Sequence, residues 1–144
     1  MGLLDPEELF EELRRNQLER LIELCAWRSG SYKFFTGRIM PGDGPFLSIA
    51  VPDLLVTVAN EMGDEMLLDL LSPWLERIPS LVAGALFERL MTSEADRTAV
   101  QQIDGVRSAK ELIAAAGADV GKRHAVVSAL FLLSQIGAVE WRER

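Results

Sequence analysis

Between Asp119 and Gly137 the chain carries Ala125, Val126, Val127, Ala129, Leu130, Phe131, Leu132, Leu133 and Ile136, with Ser128, Ser134 and Gln135 as its few polar positions. A helix over this stretch is apolar nearly all round, so it must be buried on more than one side. Whatever else the chain folds into, it has to supply cover for this segment. Asp119 precedes the helix and Gly137 closes it, which sets its end at Gln135 or Ile136. The chain has the material to do this, with 144 residues that are 49% hydrophobic, enough for one domain or two small lobes with a buried core.

Reading outward from that helix, Ser93 and Ser108 are N-cap residues for helices over about 94–103 and 109–116. Asp104-Gly105 makes a turn between them, and Gly117 stops the second. After Gly137, Ala138-Val139-Glu140-Trp141-Arg142 alternates as a strand. Three helices followed by a strand is the order of a winged-helix unit. At the other end, Asp5-Pro6-Glu7-Glu8 opens a long helix whose apolar face holds Phe10, Leu13, Leu18, Leu21, Leu24 and Cys25, with Arg15 placed to pair with Glu11 or Glu19. Ser29-Gly30 breaks it. Residues 31–35 and 46–51 suit two short strands of a hairpin, Pro52 opens a helix running to about Leu71, Pro73 ends that helix, and a further apolar helix covers 81–90.

Charge narrows the partners. The chain has 22 acidic and 15 basic residues, a net charge of −7. Residues 1–71 hold 13 acids and 6 bases, while residues 72–144 hold 9 of each. Neither half attracts nucleic acid or anionic membrane in a general way, so a partner is met by shape and apolar contact. The lone cysteine, Cys25, fits a buried thiol in a reducing cytoplasm. The opening residues lack the basic flank and apolar stretch of a signal peptide, and no apolar run approaches the length of a membrane span.

Several short motifs together resemble a known family. They are Leu-Asp-Pro-Glu-Glu-Leu at 4–9, Trp27-Arg28-Ser29-Gly30-Ser31-Tyr32-Lys33-Phe34, Ile49-Ala50-Val51-Pro52-Asp53-Leu54-Leu55 and Gly63-Asp64-Glu65. With Ile103-Asp104-Gly105-Val106-Arg107-Ser108, Glu111-Leu112 and Leu133-Ser134-Gln135-Ile136-Gly137-Ala138-Val139-Glu140, they resemble the later part of the bacterial PATAN domain and its winged-helix-like extension. The family's usual first half, a pair of strand-rich repeats, has no counterpart, and Met62-Gly63 stands where basic residues are commoner. The resemblance implies a non-enzymatic protein-protein interaction domain in two-component or surface-motility signalling, including pilus control. It carries over no catalytic residue.

The residues themselves offer little chemistry. His124 is the sole histidine, so a second histidine-based site cannot be assembled, and Cys25 sits too deep in an apolar pattern for a nucleophile. Asp64, Glu65 and Asp69 read as a solvated acidic face, because no Asx-rich loop surrounds them. Gly42-Asp43-Gly44 reads as a turn rather than a phosphate loop, having no following Gly-Lys-Ser/Thr. No metal or cofactor is implied. The rival function is winged-helix DNA binding, for which Lys122, Arg123 and His124 near the start of the third helix would meet the duplex.

The sequence therefore predicts an α+β, predominantly helical fold with a small hairpin, a first lobe over 1–92 and a winged-helix-like lobe over 93–144. It predicts an adaptor that binds another protein, a protein segment or a second copy of the chain through Trp141, Val139, Phe131 and Trp74, with Trp141 on a terminal strand whose edge is open to pairing.

Overall fold

The computed structural model describes residues 5–25, 31, 50–83, 87, 90–91 and 93–143. Among them are six α-helices, α1 (Pro6–Cys25), α2 (Val51–Glu61), α3 (Asp64–Leu71), α4 (Glu94–Gln101), α5 (Ala109–Ala115) and α6 (Val120–Gln135). They are joined by a 3-10 turn at Ser72–Trp74 and two strands, β1 (Ile78–Leu81) and β2 (Val139–Arg142). The fold is thus α+β and mainly helical. No described helix is long and apolar enough to cross a membrane. The hairpin expected around 31–51 lies outside the described residues apart from its ends, and Trp27 lies outside them too.

The chain divides into two compact units, residues 1–54 and 55–144, with the division inside α2. In the first unit, α1 begins as the sequence requires: the Asp5 carboxylate accepts from the Glu7 N–H at 3.1 Å, one of the donors the first turn leaves unpaired. Arg15 pairs with Glu12, one turn back, rather than with Glu11 or Glu19.

The second unit is built around α6. Nine consecutive residues, Ala125 to Leu133, are buried. The helix packs against α3, α4, α5 and β2, the cover that its all-round apolar sequence demanded. Its N-cap is Asp119, whose carboxylate accepts from the Lys122 N–H at 3.1 Å. Its end is a Schellman turn: Gly137 sits at φ +67°, the Ala138 N–H reaches the Leu133 carbonyl at 2.8 Å, and the Gly137 N–H reaches Ser134 at 3.2 Å. α4 and α5 each start on a complete capping box, Ser93 with Asp96 and Ser108 with Glu111. The start of α5 is further tied down by main-chain bonds from the Ala109 and Lys110 N–H groups to the carbonyls of Arg77 and Leu75, at 3.0 and 2.9 Å.

Three expectations are corrected. The helix from Pro52 to Leu71 is two helices, because Gly63 takes an extended conformation (φ −69°, ψ 157°) and caps α3 afresh. The helix expected over 81–90 does not begin at Leu81, which belongs to β1 and pairs with Val139. The expected start of a separate lobe at 93 also gives way, since α3 and β1, which precede it, pack on α6 and pair with β2 inside one unit that begins at Leu55. The signal for that strand was obscured by Pro79, which argues against a paired strand unless its missing N–H faces an edge.

Candidate interaction surface

β1 and β2 run antiparallel in the register Ile78 with Arg142, Pro79 with Trp141, Ser80 with Glu140 and Leu81 with Val139. The Val82 N–H donates to the Ala138 carbonyl at 3.0 Å, which fixes the phase of the ladder. In an antiparallel pair, opposed residues alternate between those that exchange both bonds and those that exchange none. Ser80 with Glu140 and Ile78 with Arg142 therefore exchange bonds, whereas the main-chain groups of Pro79, Leu81, Val139 and Trp141 point away from the partner strand. Pro79 costs the ladder nothing in that position and leaves the outer edge of β1 without a donor there. The outer edge of β2 keeps its donors and acceptors, and the sheet has no third strand among the described residues.

The same alternation sorts the side chains. Pro79, Leu81, Val139 and Trp141 share the inward face, with Pro79 and Val139 buried and Leu81 and Trp141 half-buried. Glu140 and Arg142 lie exposed on the outward face, where an Arg142 side-chain N–H donates to the Gly105 carbonyl at 2.9 Å. Trp141 stacks on Trp74 with ring centroids 6.0 Å apart and planes inclined by 22°. Both residues are half-buried, so the pair makes a part-buried aromatic platform beside the β2 edge.

Of the four contact residues expected from sequence, the fold brings Trp74 and Trp141 together at the surface. Phe131 and Val139 are 6% and 7% exposed, so their side chains belong to the core and cannot be offered to a partner from this unit. Phe131 lies in the middle of α6, where every direction is packed; Val139 faces inward from β2 and contributes its main chain to the edge instead.

The basic residues at the start of α6 are also committed. Asp64, the first residue of α3, has its Oδ1 2.8 Å from His124 Nδ1, a hydrogen bond, and meets Arg123 Nε at 3.4 Å. Lys122 Nζ lies 3.7 Å from Asp119. The bond from the Lys122 N–H is the main reason the Asp119 carboxyl is held below the usual range. Each of the three residues that would contact a duplex thus has a carboxylate within 4 Å, and only the first turn of α6, residues 120–123, is exposed ahead of the buried stretch. Asp64, expected on a solvated acidic face, is a half-buried clamp between α3 and α6. Its role was hidden because its partners lie sixty residues away.

No family model, curated protein or solved structure matches the chain.

Two further features lie in the same unit. A groove of about 540 Å³ is lined by Leu81, Phe87, Met91 and Val100 together with Arg97 and Gln101. The turn between α4 and α5 is ordered by Asp104, which accepts from the Val106 and Arg107 N–H groups at 2.9 Å each and from Arg107 Nε at 2.7 Å. These bonds, the Arg107 N–H first, lower the Asp104 pKa from 3.8 to about 2. Every bond of that carboxylate serves the turn, so it is a structural group. Among the described residues no cluster of three or more His, Cys, Asp or Glu side chains could hold a metal ion.

Proposed function

We propose that this chain is a non-catalytic protein-interaction module, an adaptor of bacterial signalling of the two-component or surface-motility and pilus kind. The observation that carries the reading is the outer edge of β2, which no strand among the described residues pairs with, beside the half-buried Trp74–Trp141 stack. An extended segment added to such an edge gains main-chain bonds without displacing any, and aromatic anchors next to the edge give it specificity. The signalling context comes from the resemblance of the motifs to the PATAN family. DNA binding is disfavoured because the helix in the reading position is buried from Ala125 to Leu133, while a reader needs a polar, basic outward face.

The test is recovery of partners from native cell extract with nuclease present, comparing the intact chain with Glu143→Pro. Glu143 is exposed and lies just past the last β1 partner; continuing the alternation of β2 turns its N–H to the outer edge, so proline there is expected to remove an edge donor and leave the sheet intact. Recovery of a two-component or motility protein by the intact chain, lost in the variant, supports the adaptor. Saturable, submicromolar binding of duplex DNA at moderate salt by the purified chain, weakened by Lys122→Ala, overturns it in favour of a winged-helix regulator.

A further inference from the structure

We infer that the outer edge of β2 pairs with the same edge of a second copy of this chain, antiparallel, about a two-fold axis at Trp141. This names a partner for the edge on which the proposed function rests. The phase of the ladder limits the registers. Only residues whose main-chain groups point outward, Val139, Trp141 and Glu143 by continuation, can exchange bonds across the new pair. A two-fold at Val139 would place the Gly137 turn inside the pair. A two-fold at Glu140 sets Glu140 against its own copy, and one at Arg142 sets Arg142 against its own copy, each a like-charge pair on the exposed face.

A two-fold at Trp141 sets Glu140 opposite Arg142 of the other copy, twice, with opposite charges on the face where both side chains are exposed. In that register Val139 lies opposite Glu143 and Trp141 opposite Trp141, so main-chain bonds form at three successive pairs. The two Trp74–Trp141 stacks then meet on the inward face, extending one aromatic ledge across the axis. The outer edge of β1 cannot compete for this role, since Pro79 has no N–H to offer. Arg142 already donates one N–H to Gly105, which holds the guanidinium over the outward face with its remaining donors available to a carboxylate.

The test is sedimentation equilibrium of the whole purified chain and three variants, with circular dichroism to confirm that each is folded. The intact chain is expected to dimerise. Glu140→Arg and Arg142→Glu each turn two attractive pairs into two repulsive ones and should weaken the dimer by about tenfold or more. Because Arg142→Glu also loses the bond to Gly105, the deciding arms are an equimolar mixture of the two single variants, and the double variant carrying both changes. Each of these restores opposite charges at both pairs, and each should recover dimerisation to within about threefold of the intact chain. A monomeric intact chain, or a dimer indifferent to the charge changes, overturns the inference. Its failure is separable from that of the adaptor reading: a monomer that still captures a signalling partner through the Glu143→Pro-sensitive edge keeps the adaptor and removes self-pairing.

Discussion

α1 and α6 are the two longest helices described, and they hold together for opposite reasons. α1, with 20 residues, has no buried side chain among those described, and its Leu9, Phe10, Leu13 and Leu24 are 46, 40, 43 and 49% exposed. α6, with 16 residues, is buried at nine consecutive positions. The first rests on local terms: the Asp5 cap, Glu7 and Glu8 in the first turn, and the Glu12–Arg15 pair. Such terms contribute a few tenths of a kcal/mol to about 1 kcal/mol each, and an isolated helix of this length is marginal on them alone. The second draws on tertiary burial from four neighbouring elements. An amphipathic stripe and an all-round apolar run both read as helix, but they ask different things of the rest of the molecule.

The largest contrast should appear on truncating a leucine in each helix. Leu130 is fully enclosed, so Leu130→Ala should cost about 2–5 kcal/mol in urea unfolding, through lost burial and the cavity left behind. Leu13→Ala, at an exposed site in α1, should change the same unfolding free energy by less than about 0.5 kcal/mol. Equal costs would mean that α1 buries its stripe in solution. Amide exchange sharpens the same comparison: the α6 amides from Ala125 to Leu133 should exchange only with global unfolding, and the α1 amides orders of magnitude faster through local opening.

A smaller effect concerns the caps that hold the helices around α6. Ser108 is buried, accepts from the Glu111 N–H and starts α5, so Ser108→Ala should cost about 1 kcal/mol. A cost near zero would assign the position of α5 to the main-chain bonds from Leu75 and Arg77 instead.

The smallest effect expected is pH-dependent. The Asp104 pKa is lowered in the folded chain, from 3.8 to about 2, so its contribution to stability is present above 3.8 and is lost as pH falls toward 2. The stability gap between the intact chain and Asp104→Asn should therefore be constant above about pH 5 and narrow steadily below pH 4. A gap that stays constant down to pH 2 would show that the carboxylate's charge adds nothing to the turn.

The elements from Ser93 onward were legible because each carries its own local punctuation. Ser93, Ser108 and Asp119 cap, Gly117 and Gly137 stop at φ +68° and +67°, and β2 alternates. β1 was not, since four residues containing a proline give no period, and their strand state is set by a partner some sixty residues on. The candidate surface was half legible. Trp74 and Trp141 stood out as aromatic anchors, but which of Phe131, Val139 and Trp141 faces outward depends on packing around α6 and on the phase of the β ladder.

By itself the sequence determined the starts of α4, α5 and α6, the stops of α5 and α6, the need to enclose residues 125–133, and the charge balance of the two halves. Those follow from local hydrogen bonding, apolar periodicity and simple counting, none of which needs a distant partner. Only the tertiary structure decided that Asp64 would engage Arg123 and His124, that Pro79 would remove a donor from one sheet edge, and that no strand among the described residues would pair with the other. Each is a relation between residues far apart in the chain, and it comes into being only when the core around α6 forms and brings them within bonding distance.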